Sequence, residues 1–282
     1  MTAAQVPFVT SVILFIGIAI TAFEDLRLRR DLFDDNLFDW RYCLAFQPKL
    51  RPARRAVGYD LLLGATAFRV SCVTRVAGAG AAVLLFHYAP QYAVAGVAVS
   101  VAGYLYLFYR FPYSLDGADQ MCLFVLIGVL VMSLDDGSGA YLRLGAATIS
   151  AHAAISYLTS GGAKLISPIW RSGRAVVGVM SCAEFGNGGV AAFLWPRPRL
   201  GFALAWLVIA GHLFVGLSIL IGGPLVYPAA AVATAFHLSI AALMRLNMFV
   251  WSFGATLPPV IYFSDWSTRL AFAADVQAAL GV

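Results

Sequence analysis

Few residues in this chain can do acid–base chemistry, and they are spread along apolar surroundings. Charged residues set within or at the ends of apolar stretches are Arg69, Arg75, Glu184, Arg245, Asp116, Asp119 and Lys164. His152, His212 and His237 lie inside such stretches. A charge at the centre of a bilayer-spanning helix costs about 2.5–3.5 kcal/mol on the insertion scale. Each charged residue is therefore a candidate for function before any other role is considered.

Lys164 stands in Ser156-Tyr-Leu-Thr-Ser-Gly-Gly-Ala-Lys-Leu-Ile-Ser-Pro-Ile-Trp-Arg-Ser-Gly173. Two glycines just before it allow a ligand or a second backbone to come close. A lysine stripped of water gives up its proton more readily and can act as a base. The competing reading is an interfacial lysine that snorkels to the headgroups. His152 lies twelve residues before Lys164, about 120° around an ideal helix. The two do not share a face unless Gly161-Gly162 distort it, whereas Tyr157 and Ser160 lie nearer the lysine's face. His212 and His237 each open a His-Leu-x-aliphatic string. No two histidines are four apart and no HExxH occurs, so no metal is expected. Each histidine reads either as a hydrogen-bonded interior residue or as a catalyst. Asp116 and Asp119 suit the start of a helix, as caps and as charges that match its dipole. Glu184 falls in the middle of an apolar run and needs a partner. Arg69, Arg75 or a histidine would serve, as a structural ion pair or as part of a site.

The elements that must position these groups are apolar helices. Of 282 residues, 61% are apolar and 12% charged, and mean hydropathy is +0.82. Soluble domains are about 45–50% apolar and about 25% charged, so an ordinary soluble enzyme is excluded. Disorder, which needs low hydrophobicity, is excluded too. The composition is that of an all-α, polytopic membrane protein, with about eight spans at about 20 residues each. Continuous rather than alternating apolar runs point to helices, one of the two folds that satisfy the backbone in lipid. The expected spans are about 7–23, 62–88, 92–109, 119–134, 144–163, 174–195, 200–221 and 226–244. A ninth apolar stretch, 247–263, contains Pro258-Pro259 and reads as a short span or a re-entrant piece. Residues 1–59 form a first helix plus a polar island, 60–263 the bundle, and 264–282 a short tail. The first segment has no basic leader or small-x-small site and reads as a span, not a signal peptide.

The island, Glu24–Arg55, holds eight Lys/Arg and six acids. It reads as an interfacial helix or as a solvated loop. If it is cytoplasmic and the helices alternate, the cytoplasmic side collects twelve basic residues. The other side collects Arg143, Arg197 and Arg199. That satisfies the positive-inside rule and puts the N-terminus outside. The net charge of +5 is thus expected to reflect basic cytoplasmic loops next to membrane lipids, with no nucleic acid partner. Cys43, Cys72, Cys122 and Cys182 form no CxxC or metal spacing.

Four strings together resemble one family. Asp60-Leu-Leu-Leu-Gly-Ala-Thr-Ala-Phe-Arg-Val70 resembles the opening of the HTTM family, the membrane domain shared with vitamin K-dependent gamma-carboxylase. Ser114-Leu-Asp-Gly-Ala-Asp-Gln120 is similar to its Gly-Asp helix start. Residues 155–174 resemble its Lys-Leu run followed by Trp-x-x-Gly. Ala235-Phe-His-Leu-Ser-Ile-Ala-Ala-Leu-Met244 is similar to its late His-Leu helix. The resemblance covers about residues 60–263. It implies that Lys164 is the base that deprotonates a lipid quinone in its hydroquinone form. His152, Glu184 and His237 would assist, and Arg69, Asp116, Asp119, Tyr157, Trp170 and His212 would bind substrate or cofactor. Two departures narrow this. Ala118-Asp119 stands where the carboxylase carries Asn-His, and the chain lacks the carboxylase's large soluble peptide-binding domain. A quinone- or redox-linked modification in a bacterial cytoplasmic membrane is the expectation that remains. The SdpB-like branch, similar in size, implies another: a non-enzymatic factor that matures or exports a small secreted peptide, with a separate soluble partner.

Overall fold

A computed structural model of the chain describes residues 2–27, 62–111 and 116–281. Most of the polar island, Asp60, Cys43 and Tyr113-Ser-Leu115 lie outside the described residues. The described elements are all helical. They are α1 (Gln5–Arg27), α2 (Ala65–Tyr88), α3 (Ala93–Arg110), α4 (Gly117–Met132) and α5 (Ala140–Ile166). Three short helices follow, α6 (Pro168–Arg171), α7 (Arg174–Met180) and α8 (Gly188–Leu194). Then come α9 (Pro198–Ile221), α10 (Val226–Met244), α11 (Met248–Gly254), α12 (Leu257–Phe263) and α13 (Trp266–Leu280). Short 3-10 turns at Pro90–Tyr92 and Gly223–Leu225 lead into α3 and α10. By length and apolar composition, α1, α2, α3, α9 and α10 can cross a bilayer, with α3 counted from Pro90 and α10 from Gly223. Gly117–Met132 and Met248–Phe263 are shorter apolar pieces. Large apolar side chains point outward from these helices, among them Val73, Leu84, Leu105 and Leu207. That is the surface of an integral membrane protein, whose outer face meets lipid.

Neighbouring helices run antiparallel, and glycines set their closest approaches. A Cβ on Gly78 would stand 2.5 Å from the Ser100 nitrogen, and one on Gly96 2.5 Å from the Ala82 nitrogen, so α2 and α3 touch backbone to backbone. Gly128 and Gly145 do the same for α4 and α5. Small residues allow this contact in lipid, where dispersion rather than water expulsion holds helices together. Gly17 against Trp251 joins α1 to α11, and Gly216 against Leu158 joins α9 to α5. Two cores result. One is built on α1–α4 with the first half of α5, and the other on α5, α9, α10 and α12.

One expected span does not form. Residues 174–195 do not cross. They fold as α7, a turn and α8, and Glu184 is exposed in that turn. The cause is local: Gly186, Gly188 and Gly189 disfavour a continuous helix, and Asn187 caps α8 by accepting from the Val190 amide at 3.2 Å. Residues 167–197 therefore begin and end on one side, because Gly161 faces His212 and Leu213 while Leu158 faces Gly216. Residues 248–263 instead pack antiparallel to α1, with Trp251 against Gly17 and Gly254 against Ile13. Pro258 and Pro259 sit in the first turn of α12, where a proline needs no intrahelical donor. The pair breaks the helix after Gly254 without ending the apolar stretch.

This topology sorts the charges. The ends of α1, α3, α5 and α10 and the starts of α2, α4, α9 and α11 share one face. Near it lie Arg27, Arg69, Arg110, Lys164, Arg171, Arg174, Arg197, Arg199 and Arg245. At the opposite face are Arg143 and Arg269. Arg197 and Arg199 thus change sides from the sequence expectation, and the charge asymmetry sharpens. The residues from 264 onward are not a loose tail. In α13, Arg269 donates to the carbonyls of Ile219 and Leu220 at 2.7 Å, closing the end of α9. Asp275 accepts two hydrogen bonds from Arg143 at 2.6 and 2.9 Å, tying α13 to the start of α5.

Candidate functional site

Polar side chains gather where α5 meets α9 and α10. The Tyr157 hydroxyl and His237 Nε2 are 2.7 Å apart and buried. The His212 ring lies 5.9 Å from the Tyr157 ring. Its Nδ1 is 2.7 Å from the Val208 carbonyl, so it donates there and fixes the tautomer. Phe253 stacks on His237 at 4.2 Å, and Phe236 meets His212 edge-on at 4.6 Å. His237 Nδ1 is buried and makes no hydrogen bond. Whichever tautomer the ring adopts, that nitrogen is left as an unused donor or acceptor. Below Tyr157 a small cavity of about 10 Å³, bounded by Val215, Val226, Thr256 and Val260, is about large enough for one water.

Lys164 stands one end of α5 away from this cluster. It is half-buried. Its ammonium donates to the Ser160 hydroxyl and, at 3.3 Å, to the Ser160 carbonyl. The Trp170 indole covers it, 5.2 Å from the ring centre. One of its three donors makes no bond among the described residues, and Gly161, one turn earlier, packs on His212 of α9. The chain arranges this simply: Ser160 and Lys164 are four apart on one face, and Ser167-Pro168 turns the backbone so that α6 returns Trp170 over the amine. The two glycines act differently. A Cβ on Gly161 would meet Leu213 at 2.9 Å and His212 at 3.1 Å, so Gly161 admits α9. Gly162 faces open space. The pair does not break α5.

The other expected site residues fall elsewhere. His152 stacks on Phe124 of α4 at 3.6 Å, while Tyr157 faces α9 and α10. Asp116 caps α4, accepting from the Ala118 and Asp119 amides at 2.8 and 3.1 Å, and Asp119 completes a capping box. Arg69 is exposed on α2. Glu184 has no hydrogen bond or ion pair among the described residues, because its turn leaves it exposed rather than inside a span. Of the partners expected for it, Arg69, Arg75 or a histidine, Arg75 is taken. Arg75 is fully buried, pairs with Asp25 of α1 at 2.8 Å, contacts the Cys72 sulfur at 3.2 Å and lies over the Tyr104 ring. Asp25 escaped notice because it sits among other charges in the sequence; only the antiparallel α1–α2 contact sets it against Arg75. Cys72 and Cys122 are buried free thiols. Among the described residues no group of three or more His, Cys, Asp or Glu side chains is placed to hold a metal ion.

Comparison with known proteins finds no matching family model, no matching curated protein and no matching solved structure.

Proposed function

We propose that this protein is an integral-membrane enzyme that uses Lys164 as a base on a lipid-soluble hydroquinone. The observation that carries the reading is that Lys164 and Tyr157 of α5 lie where it packs on α9 and α10, which bring His212 and His237 to the same region. These groups run from the basic face toward the interior. A hydroquinone carries two hydroxyls on a flat ring. The indole of Trp170 offers a surface for stacking such a ring. Lys164 in its neutral form would accept a hydroxyl proton, and the resulting anion is the form that oxidises readily. Ser160 orients the amine, and a second base or donor deeper in is available at His237 Nδ1. The resemblance to the vitamin K-dependent gamma-carboxylase membrane domain supports the same role for Lys164. The peptide or protein substrate of such a modification would be delivered by a separate partner.

A second reading rests on a different observation. Aromatic rings fill the interior around His237, and the adjoining cavity is about 10 Å³. A filled bundle suits a non-enzymatic partner in the maturation or export of a small peptide, as in the SdpB-like branch.

Mass spectrometry of lipid extracts from the purified protein separates the two. The enzyme reading expects a stoichiometric quinone that is lost from Lys164→Gln. Extracts holding phospholipid alone, for wild type and variant alike, contradict it.

A further inference from the structure

Four arginines stand within a few residues of one backbone crossing, where the short helices fold back over the start of α9. Gly173, with φ of +81°, meets Gly201 and Phe202 so closely that a Cβ would stand 2.4 Å from the Phe202 nitrogen. Arg171 and Arg174 lie within two residues of Gly173, and Arg197 and Arg199 lie four and two residues before Gly201. All four are therefore within about one helical turn of a single backbone crossing, and all four are exposed. Their described contacts are with neutral groups. Arg197 donates to the Phe193 carbonyl and covers the Phe193 ring at 4.1 Å. The Arg174 Nε donates to the Ser172 hydroxyl. Glu184 is the one acidic residue between Asp136 and Asp265, and it forms no pair with them. Among the described residues no carboxylate pairs with any of these four cations.

Large apolar side chains stand beside them. Ile166 and Trp195 are each 77% exposed, Ile169 60% and Phe193 53%. The segment lies at the level of the helix ends, where α5 stops and α9 begins. In a bilayer that level is the headgroup layer. Isoleucines and a tryptophan exposed there suit the acyl boundary, and arginines between them suit phosphates. An exposed apolar and cationic surface at this depth matches the two halves of one molecule, a lipid with an anionic head. A soluble polyanion would satisfy the arginines and leave the isoleucines in water.

We propose that Arg171, Arg174, Arg197 and Arg199 form a docking site for the phosphate headgroups of anionic phospholipids. The proposal needs only that the bundle crosses a bilayer and is independent of the chemistry assigned to Lys164. Basic residues near an anionic leaflet contribute roughly 1 kcal/mol each, about fivefold in affinity. The test is native mass spectrometry of the detergent-purified protein offered equimolar phosphatidylglycerol and phosphatidylcholine. The wild type should retain phosphatidylglycerol in preference. Each single Arg→Gln variant should lower that preference about fivefold, and the quadruple variant should abolish it while still eluting as a single species. Should the quadruple variant misfold, the four single variants decide. Undiminished preference in the variants would overturn the proposal. So would an equal fall in Arg245→Gln, an exposed cation outside the cluster, or release of the lipid by millimolar inorganic phosphate.

Discussion

At the scale of single residues, the buried Tyr157–His237 contact is the most informative. Tyr157→Phe keeps the ring and removes the hydroxyl, so His237 loses the one side-chain hydrogen bond it makes among the described residues while staying buried. In bilayers such bonds contribute about 0.6–1.7 kcal/mol, because the unfolded chain also finds partners. Thermal unfolding in detergent should register a loss of that size, and an unchanged midpoint would show that the contact contributes nothing. The sequence made Tyr157, His212 and His237 visible as candidates, since polar residues in apolar runs stand out. It could not pair them, because Tyr157 and His237 are eighty positions apart and belong to different helices. The same limit hides the partner of Arg75. Its charge was plain, but its partner Asp25 looked like one more member of a charged island.

At the scale of elements, helix contacts depend on small residues and on tethers at the ends. Gly145 faces the Gly128 carbonyl so closely that a Cβ would stand 2.5 Å from it. Gly145→Val should force α4 and α5 apart and cost about 1–3 kcal/mol or more, as overpacking does. Unfolding midpoints for this variant equal to wild type would contradict the close approach. The α13 tether responds to pH. The Arg143 hydrogen bonds hold the Asp275 carboxyl below its ordinary value. A carboxylate so depressed in the folded state stabilises at pH values above the unfolded value, about 3.9. The contribution disappears as pH falls through the folded value. The wild type should therefore unfold at a higher temperature than Asp275→Asn near pH 6, and the gap should narrow below about pH 4. A gap that is the same at both ends of the range would contradict the assignment. Hydropathy located most helices within a few residues, since a continuous apolar run has few alternatives in lipid. It failed at 174–195, where average apolarity concealed the Gly186–Gly189 run, and it left 248–263 undecided because two prolines read as a stop.

At the scale of the whole molecule, antiparallel contacts bring one end each of α1–α5, α9, α10 and α11 together on a strongly basic face. Single cysteines placed at Ser172 and Ser138, on a background without the native thiols, should label from opposite sides of the membrane. The positive-inside rule assigns the basic face to the cytoplasm, so an impermeant reagent in intact cells should reach Ser138→Cys and spare Ser172→Cys. Labelling of both from one side would break the topology. The charge imbalance itself was legible in the sequence; its full extent required knowing that 174–195 returns to the side it left. On this framework the proposed chemistry depends on one amine. A hydroquinone in air is oxidised through its anion, passing two electrons and two protons to dioxygen to give quinone and hydrogen peroxide. A base that removes the first proton therefore speeds the reaction. The direct measurement is the rate of quinone formation, followed by absorbance, for a lipid hydroquinone in nanodiscs carrying wild type or Lys164→Arg. Arginine keeps the charge and does not release its proton. The account predicts acceleration by the wild type and none by a folded Lys164→Arg, and equal rates for the two proteins would contradict it.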